Sequence, residues 1–449
     1  MTPSPSLRAI LIAACLGFLV VQLDVSVVNV GLGALKEAFN TDLTGLQWVI
    51  NSYALPFSAL LILGGAWGDK WGAKTVFAVG FAIFTLASIG CGLANSTTQL
   101  IAMRVIQGIG AALLIPTSLT LIRVSFQDPD KRRSAVALWG ACGGIALAAG
   151  PVIGGLMIEY FGWRSVFLLN IPIGLLAIAL ILRYAPASPR VDKHIDIPGQ
   201  ISIAICVAAL TYGLTESSAQ GWVAATFSAL AVALICAVAF ILIERRVAHP
   251  MLPPHLARNA VLGSMALAGA AINLTFYGTV FVFSIYFQTF LHYDAFTTGL
   301  SFIPLTAVLT LSTLLSSRFA KRFSAPRIIT TGFSVQIIGF LALSQTSAHG
   351  SPWLLNGALM LVGIGSAMSV PSITNAMLSS VSQHDAGIAS GLMASARQLG
   401  GVIGVAVSGA MIASADATAF AQGMSNAMLL SALALLICIG VVVYVSRRP

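Results

Sequence analysis

Asp24 is the one acidic residue that falls inside a long apolar run of this sequence, and Arg104 and Arg397 are the basic residues that do so. A carboxyl in an apolar interior is disfavoured as the anion and holds a proton readily. Such a group can take a proton from one side and release it on the other when its surroundings change. A helix-packing role, with the carboxyl bonded to backbone or to Asn29, is the alternative. Arginine stays charged in proteins, so Arg104 is a fixed positive field that can retune a nearby carboxylate as their distance changes; a structural ion pair is the simpler reading. Arg397 is open to an anionic substrate, a backbone carbonyl or Asp24. The six cysteines (Cys15, Cys91, Cys142, Cys206, Cys236 and Cys438) sit in apolar runs without a C-x-x-C pair, and the six histidines map to loops or span ends. Metal, redox and histidine-relay chemistry are therefore not expected, and no cofactor is implied.

Long apolar segments must position these residues. Of the 449 residues, 57% are hydrophobic and 8% charged, against about 25% charged in a soluble domain. Such a chain cannot cover itself with polar surface, and it is too apolar to be disordered. A membrane-spanning helix needs about 20 mostly apolar residues. Fourteen candidates run 9–35, 47–68, 75–94, 98–122, 134–158, 163–184, 197–216, 222–243, 259–291, 299–319, 327–345, 352–379, 386–414 and 424–446. They are too long and too continuously apolar for barrel strands.

Lysine and arginine in the short loops set the orientation. With the N-terminus inside, the inner segments hold Arg8, Lys70, Lys74, Arg123, Lys131, Arg132, Arg133, Arg183, Arg190, Lys193, Arg245, Arg246, Arg258, Arg318, Lys321, Arg322, Arg327, Arg447 and Arg448. That is 19 of the 23 basic residues, and the outer loops keep only Lys36 and Arg164. Both termini are thus expected in the cytoplasm of a multi-pass cell (inner) membrane protein. The net charge of +9 follows from topology rather than from a nucleic-acid surface, and the basic loops lie near lipid headgroups. Asp24 interrupts the first apolar run, so that run reads as an uncleaved span.

The chain repeats itself. Gly108-Ile-Gly-Ala-Ala-Leu-Leu-Ile-Pro116 matches Gly363-Ile-Gly-Ser-Ala-Met-Ser-Val-Pro371 at an offset of 255, and Asp130 matches Asp385 at the same offset. The loop Gly65–Gly72 matches Ser317–Ser324 more loosely at 252. Spans 2–5 thereby overlie spans 10–13, as in transporters built from parallel halves. A shift of eight spans rather than six leaves two in surplus. The expected organisation is a six-helix bundle over residues 1–190, two inserted helices over 191–250 and a second six-helix bundle over 251–449.

Five motifs in spans 1–5 resemble those of the major facilitator superfamily, and within it the fourteen-helix drug–proton antiporter branch. Leu23-Asp24-Val-Ser-Val-Val-Asn29-Val-Gly-Leu is similar to the branch's L-D-x-T-V-V-N-V-A-L-P. Trp48-Val-Ile-Asn-Ser-Tyr53-Ala-Leu55 is similar to W-x-x-x-x-Y-x-L; Trp48 is an interfacial anchor or a substrate contact, and Tyr53 offers a ring and a hydroxyl to a cavity. Gly65-Ala-Trp-Gly-Asp69-Lys70-Trp-Gly72-Ala-Lys74 resembles the superfamily loop between helices 2 and 3, which implies that Asp69 latches an inner gate. Gly68 to Thr75 also come near a phosphate-binding loop, but Ala73 replaces its second glycine and no strand precedes it, which argues against ATP. Leu100-Ile-Ala-Met-Arg104-Val-Ile-Gln107-Gly108-Ile-Gly110-Ala-Ala fits the superfamily's arginine motif throughout. Ala146-x3-Gly150-Pro151-x2-Gly154-Gly155 in span 5 is similar to the antiporter motif, whose small residues let helices approach closely and which implies export rather than uptake.

The resemblance implies an all-α integral membrane protein with the major facilitator fold, 6 + 2 + 6 helices in parallel half repeats. It implies a proton-coupled antiporter that exports hydrophobic or amphipathic small molecules by alternating access, powered by the proton gradient, working as a monomer and binding no nucleic acid. Asp24 and Arg104 are its candidate proton-coupling pair. Asn29, Tyr53, Gln107, Asn273, Tyr277, Asn375 and Arg397 are candidates for the cavity. Asp24 is the only clear intramembrane acid, so the expected substrates lean towards neutral, zwitterionic or weakly anionic compounds. A nutrient importer is the rival within transport, and a lipid-modifying enzyme or a channel the rivals outside it.

Overall fold

The computed structural model describes residues 5–186, 196–221, 223–247, 250–308, 323–345, 352–382, 385–412 and 417–447, all helix and connecting turns. Arg190, Lys193, Arg318, Lys321, Arg322 and Arg448, the tenth span beyond residue 308, most of the 317–324 repeat loop and both expected domain boundaries lie outside them or at their edge.

In chain order the long helices are α1 (Pro5–Val30), α2 (Leu43–Trp71), α3 (Ala73–Gly92), α4 (Thr97–Ser125), α5 (Pro129–Phe161) and α6 (Ser165–Tyr184). Then come α7 (Ile197–Gln220), α8 (Ala224–Glu244), α9 (Ala260–Ile285) and α10 (Ala295–Val308). The last four are α11 (Ala325–Leu343), α12 (Pro352–Ser379), α13 (Ala386–Met411) and α14 (Ala417–Ser446). Among the described residues, 12 helices are long and apolar enough to cross a membrane. The other two are α10, described only to Val308, and α13, which is long but rich in Gly, Ala and Ser and carries Arg397.

Acids that the sequence leaves outside the spans start helices. Asp42, Asp128, Asp196 and Asp294 accept hydrogen bonds from the backbone N–H of Gly45, Asp130, Gly199 and Thr297, and Ser96 and Asn259 do the same for Gln99 and Leu262. Each satisfies donors that a helix start leaves without intrahelical partners. The first span ends sooner than its apolar run. Its helix breaks at Gly31, and a short helix Leu32–Phe39 follows. At its far end α9 passes into a π turn, Tyr286–Phe290.

Packing repeats along the chain. The pairs α1–α5, α1–α6, α3–α4 and α3–α6 recur as α9–α13, α9–α14, α11–α12 and α11–α14. The closest approaches recur with them. A Cβ on Gly108 would strike the Tyr53 carbonyl, and one on Gly363 the Leu305 carbonyl; Gly110 abuts Gly80 and Phe84, and Gly365 abuts Gly332 and Gln336. The α2 and α3 partners shift by 252 and the α4 glycines by 255, the offsets seen in the sequence. The helix prolines Pro116 and Pro371 keep the same register.

Among the described residues the halves meet chiefly through α2 with α13 and α5 with α10, and α1 also touches α9 and α10. Helix α7 packs on both α2 and α13, and α8 packs on α7. Only 11% of the apolar stretch of α8 is buried, against 78% for α9. So α8 is peripheral and α9 central.

Candidate functional site

Two clusters use opposite faces of α1. Residues advance about 100° per position around a helix, so Ser26 and Asn29 share a side and Asp24 points away from both. The spacing in Leu23–Leu32 thus serves two sites.

Asp24 enters a closed polar cluster built by five helices. It is 3% exposed, Arg104 1% and Gln107 0%. Arg104 Nη1 pairs with Asp24 Oδ2. Asp24 Oδ1 accepts from Gln107 Nε2 at 2.9 Å and from Asn170 Nδ2 at 3.2 Å. Arg104 also donates to Gln107 Oε1 at 2.8 Å and, through Nε, to the Val49 carbonyl at 3.2 Å. Arg104 and Gln107 stand one turn apart on α4, the spacing that puts both on one face. Ser88 of α3 accepts from Gln107 at 2.9 Å and from Asn170 at 3.3 Å, and donates to the Phe84 carbonyl. The guanidinium lies 4.3 Å from the centre of the Tyr53 ring, a cation–π stack.

This placement settles what Tyr53 and Gln107 touch. Both belong to the charged cluster. The Tyr53 hydroxyl donates to the Val21 carbonyl at 3.4 Å. Asn29 is not the partner of Asp24; its Nδ2 donates to the Val25 carbonyl at 2.7 Å. The sequence reading missed Asn170 and Ser88. An amide in the apolar sixth span was a signal that could have flagged Asn170. A serine in a span usually bonds its own helix, so Ser88 carried none. In the second half the same register positions are apolar: Phe340 for Ser88, Leu359 for Arg104 and Val362 for Gln107. The repeat duplicates the scaffold and leaves this charged cluster in the first half.

The other face of α1 borders a small cavity where α1, α5, α9 and α10 meet. Ser26, Asn29, Pro151, Tyr277, Phe302 and Thr306 are among its lining residues, and its interior measures about 10 Å³, on the order of one water. Ser26 donates to the Leu147 carbonyl at 2.9 Å. Arg397 donates through Nε to Asn273 Oδ1 at 3.2 Å, its stem lies against Gly269, and Gly401 leaves room for the Tyr277 ring. Arg397 and Asn273 therefore pair beside Tyr277, whereas Asn375 is exposed and does not line this cavity.

The span 5 motif fills the seam. Gly150 faces Ser26 and Gly154 faces Val27, which brings α5 onto α1; Gly155 faces the backbone of Ala295 and Phe296, and Gly299 lies on the Pro151 carbonyl. A Cβ on Gly155 would come within 2.6 Å of the Ala295 oxygen. Further contacts between halves cluster at the same end of the bundle. Gln288 bridges the Gly33 N–H and the Val30 carbonyl, and Gln47 donates to the Val405 and Ala406 carbonyls at 3.4 Å. This end lies opposite the start of α1.

The loop motif lies at the other end. Gly72 turns the chain with φ of 91°, a region that glycine tolerates. Lys74 Nζ donates to the Leu182 and Ala185 carbonyls at 3.0 and 2.7 Å and caps the end of α6. Gly65 sits in ordinary contact with Pro116, Asp69 is half-buried and Lys70 is exposed. The Trp48 indole N–H donates to Glu216 of α7 at 2.8 Å.

A family model described as the Major Facilitator Superfamily matches residues 14–405. The chain is 33% identical over 401 residues to the "Methylenomycin A resistance protein" of Streptomyces coelicolor, covering 89% of this chain and 84% of that protein. It is 35% identical over 412 residues to the "Cephamycin export protein CmcT" of Amycolatopsis lactamdurans, covering 88% and 83%. The crystal structure of a bacterial homolog of the human lysosomal transporter Spinster aligns with a TM-score of 0.72 at 15% identity over 99% of this chain and 98% of that one, a likeness of fold.

Proposed function

This chain belongs to the Major Facilitator Superfamily and is a multi-pass membrane transporter rather than an enzyme, and from that premise we propose that it is a proton-coupled antiporter exporting hydrophobic or amphipathic small molecules. The Asp24–Arg104–Gln107–Asn170 cluster is the observation that carries the coupling. A proton on Asp24 cancels the ion pair and leaves Arg104 to Gln107 and the Val49 carbonyl. The tie between α1, α4 and α6 then weakens, and the first bundle can change its packing. One charge moving through 100 mV yields about 2.3 kcal/mol, roughly a 50-fold concentration ratio. The proton gradient is the energy source, and no resident cofactor takes part.

Export draws on the span 5 motif and on relatives named for antibiotic resistance and export. The architecture we propose is 6 + 2 + 6, in the fourteen-helix drug–proton antiporter branch, with α7 and α8 as the insertion between bundles 1–190 and 251–449. Both termini are cytoplasmic in the inner membrane. The contacts between halves then close the outer side, and the Gly65–Lys74 loop, with Asp69 as latch, works at the inner gate. The transporter acts as a monomer.

The test is growth of an efflux-deficient bacterium on a broad antimicrobial panel, with wild type or Asp24→Asn at matched membrane levels, followed by uptake into everted vesicles. The expected result is resistance and gradient-driven uptake in the wild type and loss of both in the variant. Equal resistance in the two would remove Asp24 as proton carrier. Uptake into right-side-out vesicles would replace export with import.

A further inference from the structure

The amide of Asn29 is 1% exposed and lines the cavity between α1, α5, α9 and α10. Its orientation is fixed, because Nδ2 donates to the Val25 carbonyl at 2.7 Å. Its Oδ1 accepts no hydrogen bond from the described residues. Buried acceptors are almost always paired, and one that is not calls for an explanation. The other polar groups of the lining do not supply it. The Ser26 hydroxyl is turned to the Leu147 carbonyl, and that of Thr306 to the Phe302 carbonyl at 3.1 Å. The Tyr277 hydroxyl does not bond Asn29 Oδ1 either; the rest of the lining is aromatic or aliphatic, with Phe276, Phe302 and the Tyr277 ring around it, and it holds no charged side chain. Asp24, which could attract a cation, is turned away and held by Arg104, Gln107 and Asn170.

We infer that Asn29 Oδ1 is the recognition atom for uncharged, mainly apolar substrates that carry a hydroxyl or N–H donor. This rests on the export reading above and narrows its substrate class. The cavity holds on the order of one water in this arrangement, so a larger molecule enters only as the α5–α10 seam loosens. The acceptor then meets a donor in a water-poor aromatic setting. A ligand without a donor, or with a full positive charge, gains nothing there.

The test is equilibrium binding of 2-naphthol and 2-methoxynaphthalene to the full-length protein in lipid nanodiscs at pH 7, corrected with empty nanodiscs. The two probes share a ring system, and only the naphthol can donate. The wild type should bind naphthol about tenfold more tightly, the factor expected for one gained hydrogen bond. Asn29→Leu should lose the preference and bind the two probes equally. No preference in the wild type overturns the inference without reference to any variant. A preference that survives in Asn29→Leu overturns it too, as does tighter binding of a naphthyl trimethylammonium cation. Gradient-driven uptake of any compound without an Asn29-dependent preference would overturn this site and keep export. Asn29-dependent binding without such uptake would keep the site and overturn export.

Discussion

Asp24 and Arg104 are both nearly inaccessible, so each is a charge whose solvation has been replaced by the other and by Gln107, Asn170 and the Val49 carbonyl. Removing one member of such a pair strands the other, at a cost of about 3–5 kcal/mol, whereas removing both charges together is often nearly neutral. Asp24→Asn and Arg104→Gln should each lower the thermal stability of the purified protein, and the double variant should recover most of it. Gradient-driven transport should be lost in all three. Recovery of transport in the double variant would assign the pair a structural role only. Asp294 makes a smaller prediction. The Thr297 N–H and hydroxyl beside it hold its carboxyl below the ordinary value of 3.8. Its contribution is present above that value and fades as pH falls through the lowered one. Asp294→Ala should cost about 1 kcal/mol near neutral pH, with the difference from wild type shrinking in thermal melts taken at increasing acidity.

At the scale of elements, the glycines of α5 act by what they omit. Gly150 and Gly154 seat the helix on α1, and Gly155 lets it meet α10 backbone to backbone. Pro151 has no N–H to give the Leu147 carbonyl, which accepts instead from the Ser26 hydroxyl at 2.9 Å, and Gly299 rests on the Pro151 carbonyl. Gly155→Ala puts a methyl group into the Ala295 carbonyl, and neither helix backbone can yield without moving the helix. The variant should still insert and fold, since its contacts with α1 remain. It should lose at least about tenfold in transport, with more rapid thiol labelling of a cysteine placed at Phe296, a position at this seam. Wild-type labelling and transport would show that the two helices do not need this closeness.

Over the whole molecule, side-chain bonds tie α7 to α2. Trp48 donates to Glu216, Asn51 to Thr215 at 3.4 Å, and Gln200 to the Ala59 carbonyl. The same helix also packs on α13, across the seam where the halves must shift in alternating access. We therefore expect α7 and α8 to travel with the first bundle. A cross-link between Asn51→Cys and Thr215→Cys, in a background without the six native cysteines, should keep at least half of the transport activity. Abolition of transport by that cross-link would mean that the hairpin slides on α2 as well.

Much of this molecule could be read along the chain. Apolar run length fixed the helices, because a bilayer crossing leaves backbone groups no partner but their own helix. The offsets of 252 and 255 were legible because close helix crossings admit only small residues, so the same glycines recur. Asp24 and Arg104 stood out because charge in an apolar run is costly. What surrounds them was not legible. Asn170 lies 146 residues from Asp24, and nothing local marks Ser88 as its companion. Trp48 could be read as an anchor or a substrate contact, and only the packing of α7 shows its bond to Glu216. Asn29 became an acceptor without a donor only when α5, α9 and α10 closed around it. A side chain's type follows from the sequence, but its partner depends on which helices meet, and that is decided by packing across the whole bundle.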